Sequence, residues 1–301
     1  MAQVILRTHE LTKKYGEFVA LDKVSLTLRD GDIYGLVGRN GAGKTTFFKC
    51  VMGLAHPTGG SIVIGDEGVR LDAARRTMGF MINPSFFPYL NPKENLEYLC
   101  RVKGINQKSE VQRLLELVDL QGVKKPFKAF SLGMKQRLGI AGALLGSPSV
   151  VVLDEPINGL DPQGIIDMRA VIKDVHAQTG TTFIISSHIL SELDLVATQF
   201  GFIDRGVLLQ EISRSDLHEH TKKSLVIDVD RPEQARAALA SLGINDATVE
   251  GCRLTLNSQL DRSHEIARAL VGAGVELYDL HRQETTLEEY FIRLVGGGHN
   301  A

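Results

Sequence analysis

The sequence predicts an α/β fold with a parallel, helix-covered sheet, followed by a small α+β domain. Three observations predict it: a glycine-rich loop between an apolar strand and a helix, an alternation of helices and strands from about residue 132 to 197, and a βαββαβ order beyond residue 224.

The loop is the most informative stretch. Ile33-Tyr34-Gly35-Leu36-Val37 is a short apolar run suited to a buried strand, and Thr46 to Met52 reads as a helix. Between them, Gly38-Arg39-Asn40-Gly41-Ala42-Gly43-Lys44-Thr45-Thr46 has the G-x-x-x-x-G-K-[ST] spacing of a phosphate-cradling loop. Its glycines let successive backbone N–H groups turn inward on a phosphate at the positive end of the helix. Lys44 would reach the β- and γ-oxygens, and Thr45 would offer its hydroxyl to Mg²⁺. The loop therefore implies a nucleoside triphosphate.

Upstream and downstream of that unit, short strands are expected at Val4 to Leu6, Val24 to Leu28 and Ser61 to Ile64. Apolar residues recur at helical spacing from Pro92 to Leu120, with Asn91 as cap and Pro92 in the first turn. A second alternation follows: helix Leu132 to Leu145, strand Val150 to Leu153, helix Gly164 to Gln178, strand Thr182 to Ser186 and helix Ile189 to Ala197. That order argues a parallel sheet. After a hairpin-like end at residues 202–208, the polar stretch Arg214 to Lys223 reads as a domain boundary. Beyond it come strand Ser224 to Val229, helix Pro232 to Leu242, strands Ala247 to Glu250 and Arg253 to Leu256, helix Arg262 to Val271, strand Val275 to Leu280 and helix Leu287 to Val295. This is the order of ferredoxin-like folds.

Composition narrows the partners. A chain of 301 residues suits two modest domains, and a net charge of −2 gives no electrostatic footprint for nucleic acid. Cys50, Cys100 and Cys252 lie far apart without metal spacing and are expected to be reduced thiols of a cytosolic protein. No apolar run approaches the roughly 20 residues a spanning helix needs, and the N-terminus does not read as a signal peptide. Work at a membrane would need another subunit to carry the spanning helices.

A triphosphate hydrolase also needs a carboxylate for the metal and a group to orient water. Val150-Val151-Val152-Leu153-Asp154-Glu155 supplies both at the end of a buried strand: Asp154 to hold Mg²⁺, Glu155 to polarise the attacking water.

These two motifs, with Phe130-Ser131-Leu132-Gly133-Met134-Lys135-Gln136-Arg137, Gly159-Leu160-Asp161-Pro162 and Ser186-Ser187-His188, stand in the order found in ABC-type ATP-binding subunits, which residues 1 to about 215 resemble. The resemblance implies a P-loop NTPase of ABC type at 1–215, with a helical subdomain at about 84–148, and leaves 224–301 as an accessory domain. It implies an ATPase that pairs with a second copy, each ATP trapped between one subunit's phosphate loop and the other's Ser131 and Gly133. It further implies that Asp161 joins the two sites, that His188 reads the γ-phosphate, and that Tyr15 stacks on adenine. The Ser-Leu-Gly-Met-Lys form of the signature is similar to the branch handling bacitracin and lantibiotics. A separate integral-membrane permease, with this subunit peripheral on the inner face of the membrane, is the partner the family implies, and residues 83–95, with Phe86, Phe87, Pro88 and Tyr89, are its candidate docking surface. Asn83 stands where the family has glutamine, or glutamate in the bacitracin-type branch, and is a candidate Mg²⁺ contact. Two other readings remain: a non-transport ABC-type ATPase, whose relatives carry two ATP modules or a long coiled coil that this chain lacks, and a regulatory nucleotide-binding subunit.

Overall fold

In the computed structural model, which describes residues 3–65, 69–105, 108–221, 223–284 and 286–297, the chain forms two compact units that divide after Arg214. The end of the expected 224–301 domain thus lies outside the described residues.

The first unit opens with an antiparallel sheet. Strand β1 (Val4–Tyr15) pairs with β2 (Phe18–Val24), β3 (Thr27–Arg29) and, later in the chain, β5 (Gly59–Ile64). β1 is far longer than the expected Val4 to Leu6, and the expected strand Val24 to Leu28 is split in two. A buried hydroxyl explains the split: Thr8 Oγ1 accepts from Leu26 N at 2.9 Å and donates to Val24 O at 3.0 Å, clasping the turn between the two strands. The second half of β1 was hidden because its polar residues His9, Glu10, Lys13 and Lys14 face outward, so no apolar run marks it.

Strand β4 (Ile33–Val37) is buried along its whole length at the centre of a six-stranded sheet, which is why it reads as a continuous apolar run. Helix α1 (Lys44–Val51) follows the glycine loop. After helix α2 (Leu71–Arg75) comes β6 (Met78–Met81), and the sheet is completed by β7 (Val150–Leu153), β8 (Thr182–Ser187), β9 (Gln199–Asp204) and β10 (Val207–Ser213). The order is β10-β9-β4-β8-β7-β6, parallel except for the edge hairpin of β9 and β10. β4, β8 and β7 are therefore neighbours, and the loops at their C-terminal ends share one edge of the sheet.

Between β6 and β7 the chain makes a helical excursion. The expected helical stretch Pro92 to Leu120 is two helices, α3 (Pro92–Lys103) and α4 (Lys108–Leu117), because Gly104 takes a left-handed conformation (φ 69°) and ends the first. Asn91 caps α3 reciprocally: its Oδ1 accepts from Glu94 N at 3.0 Å while Glu94 Oε2 accepts from Asn91 N at 2.8 Å. Helix α5 (Leu132–Leu144) returns the chain to the sheet, and α6 (Pro162–Thr179) links β7 to β8. The helix expected over Ile189 to Ala197 shortens to α7 (Leu190–Asp194), since the chain must turn into β9, where Thr198 N donates to Ile33 O at 2.8 Å.

The polar stretch read as a domain boundary contains a helix, α8 (Arg214–His220), whose end is closed by Thr221 Oγ1 donating to the Leu217 and His218 carbonyls. The second unit continues with β11 (Lys223–Val229), α9 (Pro232–Ser241), β12 (Thr248–Glu250), β13 (Arg253–Leu256), α10 (Ser263–Gly272), β14 (Leu277–Glu284) and α11 (Leu287–Gly297). Its antiparallel sheet has the order β12-β13-β11-β14. Leu225, Ile227 and Val229 form one face of β11 and pack with Ala235 and Leu239 of α9 and Ile266 and Leu270 of α10.

Candidate nucleotide-binding and hydrolysis site

Residues Arg39 to Thr46, with Phe18, Ala20 and Glu155, line a cavity of about 290 Å³ at the end of β4. Gly43 caps α1 in a conformation (φ 111°) open only to glycine, and a Cβ there would lie 2.8 Å from the Ala20 carbonyl. No side chain caps this helix, so its first-turn N–H groups are left for an anion. A larger cavity of about 570 Å³ opens at the opposite ends of the strands, beside Asp30, Ser149 and Thr181, away from this chemistry.

Lys44 is almost wholly buried. Its ammonium donates to the carbonyls of Gly38 (2.6 Å) and Arg39 (3.2 Å) and lies 3.1 Å from Glu155 Oε1. Glu155 Oε1 is buried, and the Lys44 ammonium is its ion-pair partner. The other oxygen, Oε2, is 2.9 Å from His188 Nδ1, which must carry the proton because a carboxylate only accepts. Thr45 Oγ1 donates to Asp154 Oδ2 at 2.8 Å.

A residue that sequence reading named only as part of the Ser186-Ser187-His188 motif, without a role, ties the carboxylate loop together. Ser186, fully buried at the end of β8, donates its hydroxyl to Asp154 Oδ1 (2.6 Å) and accepts from the backbone N–H of Glu155 (2.8 Å). Glu155 itself is held with φ 49°, a sparsely populated conformation stabilised here by that hydrogen bond, the histidine and the lysine. Hydroxyl and carboxylate oxygens from Thr45 and Asp154 are the donor set of a hard cation such as Mg²⁺, and the two fit it.

The other predicted residues stand apart from the cavity lining. Ser131 caps α5, its Oγ accepting from Met134 N at 3.3 Å, with Gly133 in the first turn; Asp161 caps α6, Oδ1 accepting from Gly164 N at 3.0 Å. Tyr15 sits at the end of the β1–β2 hairpin, 49% exposed, with Lys13 Nζ 4.7 Å over its ring. Asn83 is exposed just beyond β6, in a left-handed conformation (φ 47°) that asparagine tolerates better than glutamine. Its backbone lies beside the carboxylate loop, because Asp154 N donates to Met81 O at 2.9 Å.

The candidate docking segment is part core and part surface. Half-buried Phe86 packs at a tilt on Phe127, with centroids 5.3 Å apart, whereas Phe87 and Tyr89 are exposed and Phe87 meets Tyr98 edge-on at 4.7 Å. Buried Asn95 fixes the loop, its Oδ1 accepting from Phe87 N and its Nδ2 donating to the Phe87, Leu90 and Asn91 carbonyls.

The family described as ABC transporter matches residues 21–158. The bacitracin transport ATP-binding protein BcrA of Enterococcus faecalis is 38% identical over 301 residues, covering 98% of each chain. This chain belongs to the ABC transporter ATP-binding subunits. The lantibiotic transport ATP-binding protein SrtF of Streptococcus pyogenes is 41% identical over 210 residues, 69% of this chain and 90% of that one. A solved ATP-binding subunit of an ABC transporter superposes with TM-score 0.62 at 27% identity, covering 72% of this chain and 92% of that one. The dimeric post-hydrolysis state of the cassette MJ0796 bound to ADP and Pi has TM-score 0.61 at 23% identity, over 70% and 99% of the two chains, and shares the fold. The ABC subunit described here is thus an ATPase that powers transport, and five residues of its phosphate and carboxylate loops and of the loop after β8, Lys44, Thr45, Asp154, Glu155 and His188, meet at one edge of the sheet.

Proposed function

We propose that this subunit hydrolyses ATP in a head-to-tail dimer to drive a separate membrane permease that exports an antimicrobial peptide or a related antibiotic. The observation that carries the chemistry is the contact of Glu155 with both Lys44 and His188, beside the Thr45–Asp154 pair. The substrate class rests on the full-length likeness to BcrA.

In this reading the phosphates take the place of Glu155 on the Lys44 ammonium. Glu155, released from Lys44 but still oriented by His188 and by Ser186 on its own N–H, accepts a proton from the attacking water. Thr45 and Asp154 would hold Mg²⁺, which when bound neutralises charge developing on the phosphate oxygens. His188 reads the γ-phosphate. Ser131 and Gly133 reach the same phosphate from the second copy; a hydroxyl and free N–H groups at a helix start suit that role. Asp161 connects the two sites. Asn83 lies where a change at the carboxylate loop passes into the segment 83–95 carrying Phe87 and Tyr89, which docks the permease.

Among the described residues no helix is long and apolar enough to cross a membrane, in keeping with a permease as a separate chain. The test is co-purification from the native host: a membrane protein with spanning helices should accompany this chain, and a Phe87→Ala/Tyr89→Ala double variant should lose it while keeping nucleotide binding. Purification with ribosomes or nucleic acid instead would sink the transport reading.

A further inference from the structure

The family resemblance implies an adenine contact at Tyr15, yet the ring that lines the cavity at the phosphate loop is that of Phe18. Among the lining residues, which otherwise come from Arg39 to Thr46, Ala20 and Glu155, it is the one aromatic side chain. It is also 66% exposed, the most exposed apolar side chain of a strand on which Val19 is 37% exposed and Leu21 and Val24 are fully buried.

Its position is set by the hairpin. Tyr15 and Phe18 are directly opposed across β1 and β2, joined by the two-residue turn Gly16-Glu17 in which Gly16 takes φ 60°. Opposed residues of an antiparallel pair project from the same face, so Tyr15 stands beside Phe18 on that face of the hairpin, outside the cavity lining that Phe18 joins. The Lys13 ammonium, 4.7 Å from the Tyr15 centroid, already occupies one face of that ring. Every base presents a π-face, and a ring at the mouth of a phosphate-binding cavity is where the nucleoside end of a bound nucleotide must emerge.

We infer that Phe18 is a second nucleoside-binding residue: its ring forms the apolar wall that holds the adenine and ribose end, with Tyr15 extending the platform. The inference rests on the phosphate loop binding ATP and adds a contact to it.

The chain contains no tryptophan, so Phe18→Trp provides a single reporter in the full-length protein. Its emission should be quenched by ADP and left unchanged by tripolyphosphate, which fills the phosphate loop without a base. Phe18→Ala should weaken ADP and ATP binding roughly 5- to 100-fold, the span of one lost stacking contact, while tripolyphosphate affinity and thermal unfolding stay at wild-type values. Phe18→Tyr should restore nucleotide affinity. Unchanged ADP affinity in Phe18→Ala overturns the inference, as does an equal loss for ADP and tripolyphosphate, which would make the ring a structural support for the loop. An effect confined to ATP-driven dimerisation overturns it too, and makes Phe18 a subunit contact. Lys44→Ala separates the two levels: if it leaves tripolyphosphate binding intact, the phosphate loop reading itself has failed.

Discussion

Lys44 and Glu155 form an ion pair at 3.1 Å, with side chains only 6% and 18% exposed. An arriving phosphate competes with the carboxylate for the same buried ammonium.

Glu155→Gln should therefore bind ATP at least as tightly as the wild type, because the competing charge is gone. Turnover should fall by about 100-fold or more with the general base removed. Phosphate release measured beside equilibrium ATP binding checks both halves; wild-type turnover in the variant removes Glu155 from its role.

Ser186→Ala deletes the hydroxyl shared by Asp154 Oδ1 and the Glu155 N–H in a fully buried position. Leaving those groups unpaired should cost about 1–3 kcal/mol of stability, and the Mg²⁺ concentration for half-maximal ATPase should rise as Asp154 loses its orientation. Calorimetry and a Mg²⁺ titration read the two effects; an unchanged titration with lowered stability would make Ser186 a structural group only.

Gly79 lies on β6 where an added Cβ would collide with the backbone carbonyl of Ala143 in α5. Backbone cannot swing aside as a side chain can, so Gly79→Ala should destabilise by about 3 kcal/mol or more and separate the helical excursion from the sheet. A denaturant melt with an unchanged midpoint would contradict this packing.

Asn83→Gln places the family's usual side chain on a left-handed backbone (φ 47°). The variant should lose up to roughly 1 kcal/mol of stability, and Asn83→Gly should recover it. If the glutamine variant is as stable as the wild type, the backbone does not account for the asparagine.

The phosphate loop and the Asp154-Glu155 pair were legible because their chemistry is local: a turn, a helix start and a strand end fix it within a few residues. The all-apolar strands β4 and β7 were legible for the same reason, being buried on both faces. What escaped was set by particular neighbours at a distance. The length of β1 depends on partners in β2, β3 and β5, the role of Ser186 on β8 lying beside β7, and the cavity wall at Phe18 on the closeness of β2 to Gly43. None of these adjacencies leaves a spacing in the sequence. Tyr15 was read from family likeness, which supplied no means of seeing the ring opposite it.

β6 and β7 run side by side, Met78 to Met81 against Val150 to Leu153, although nearly seventy residues separate them in the chain. The departure and return points of α3 to α5 are thus stitched together by the sheet itself. A lineage could rewrite that detour to suit a different membrane companion and leave the hydrolytic apparatus where it stands, so variety among such transporters needs no invention of new chemistry.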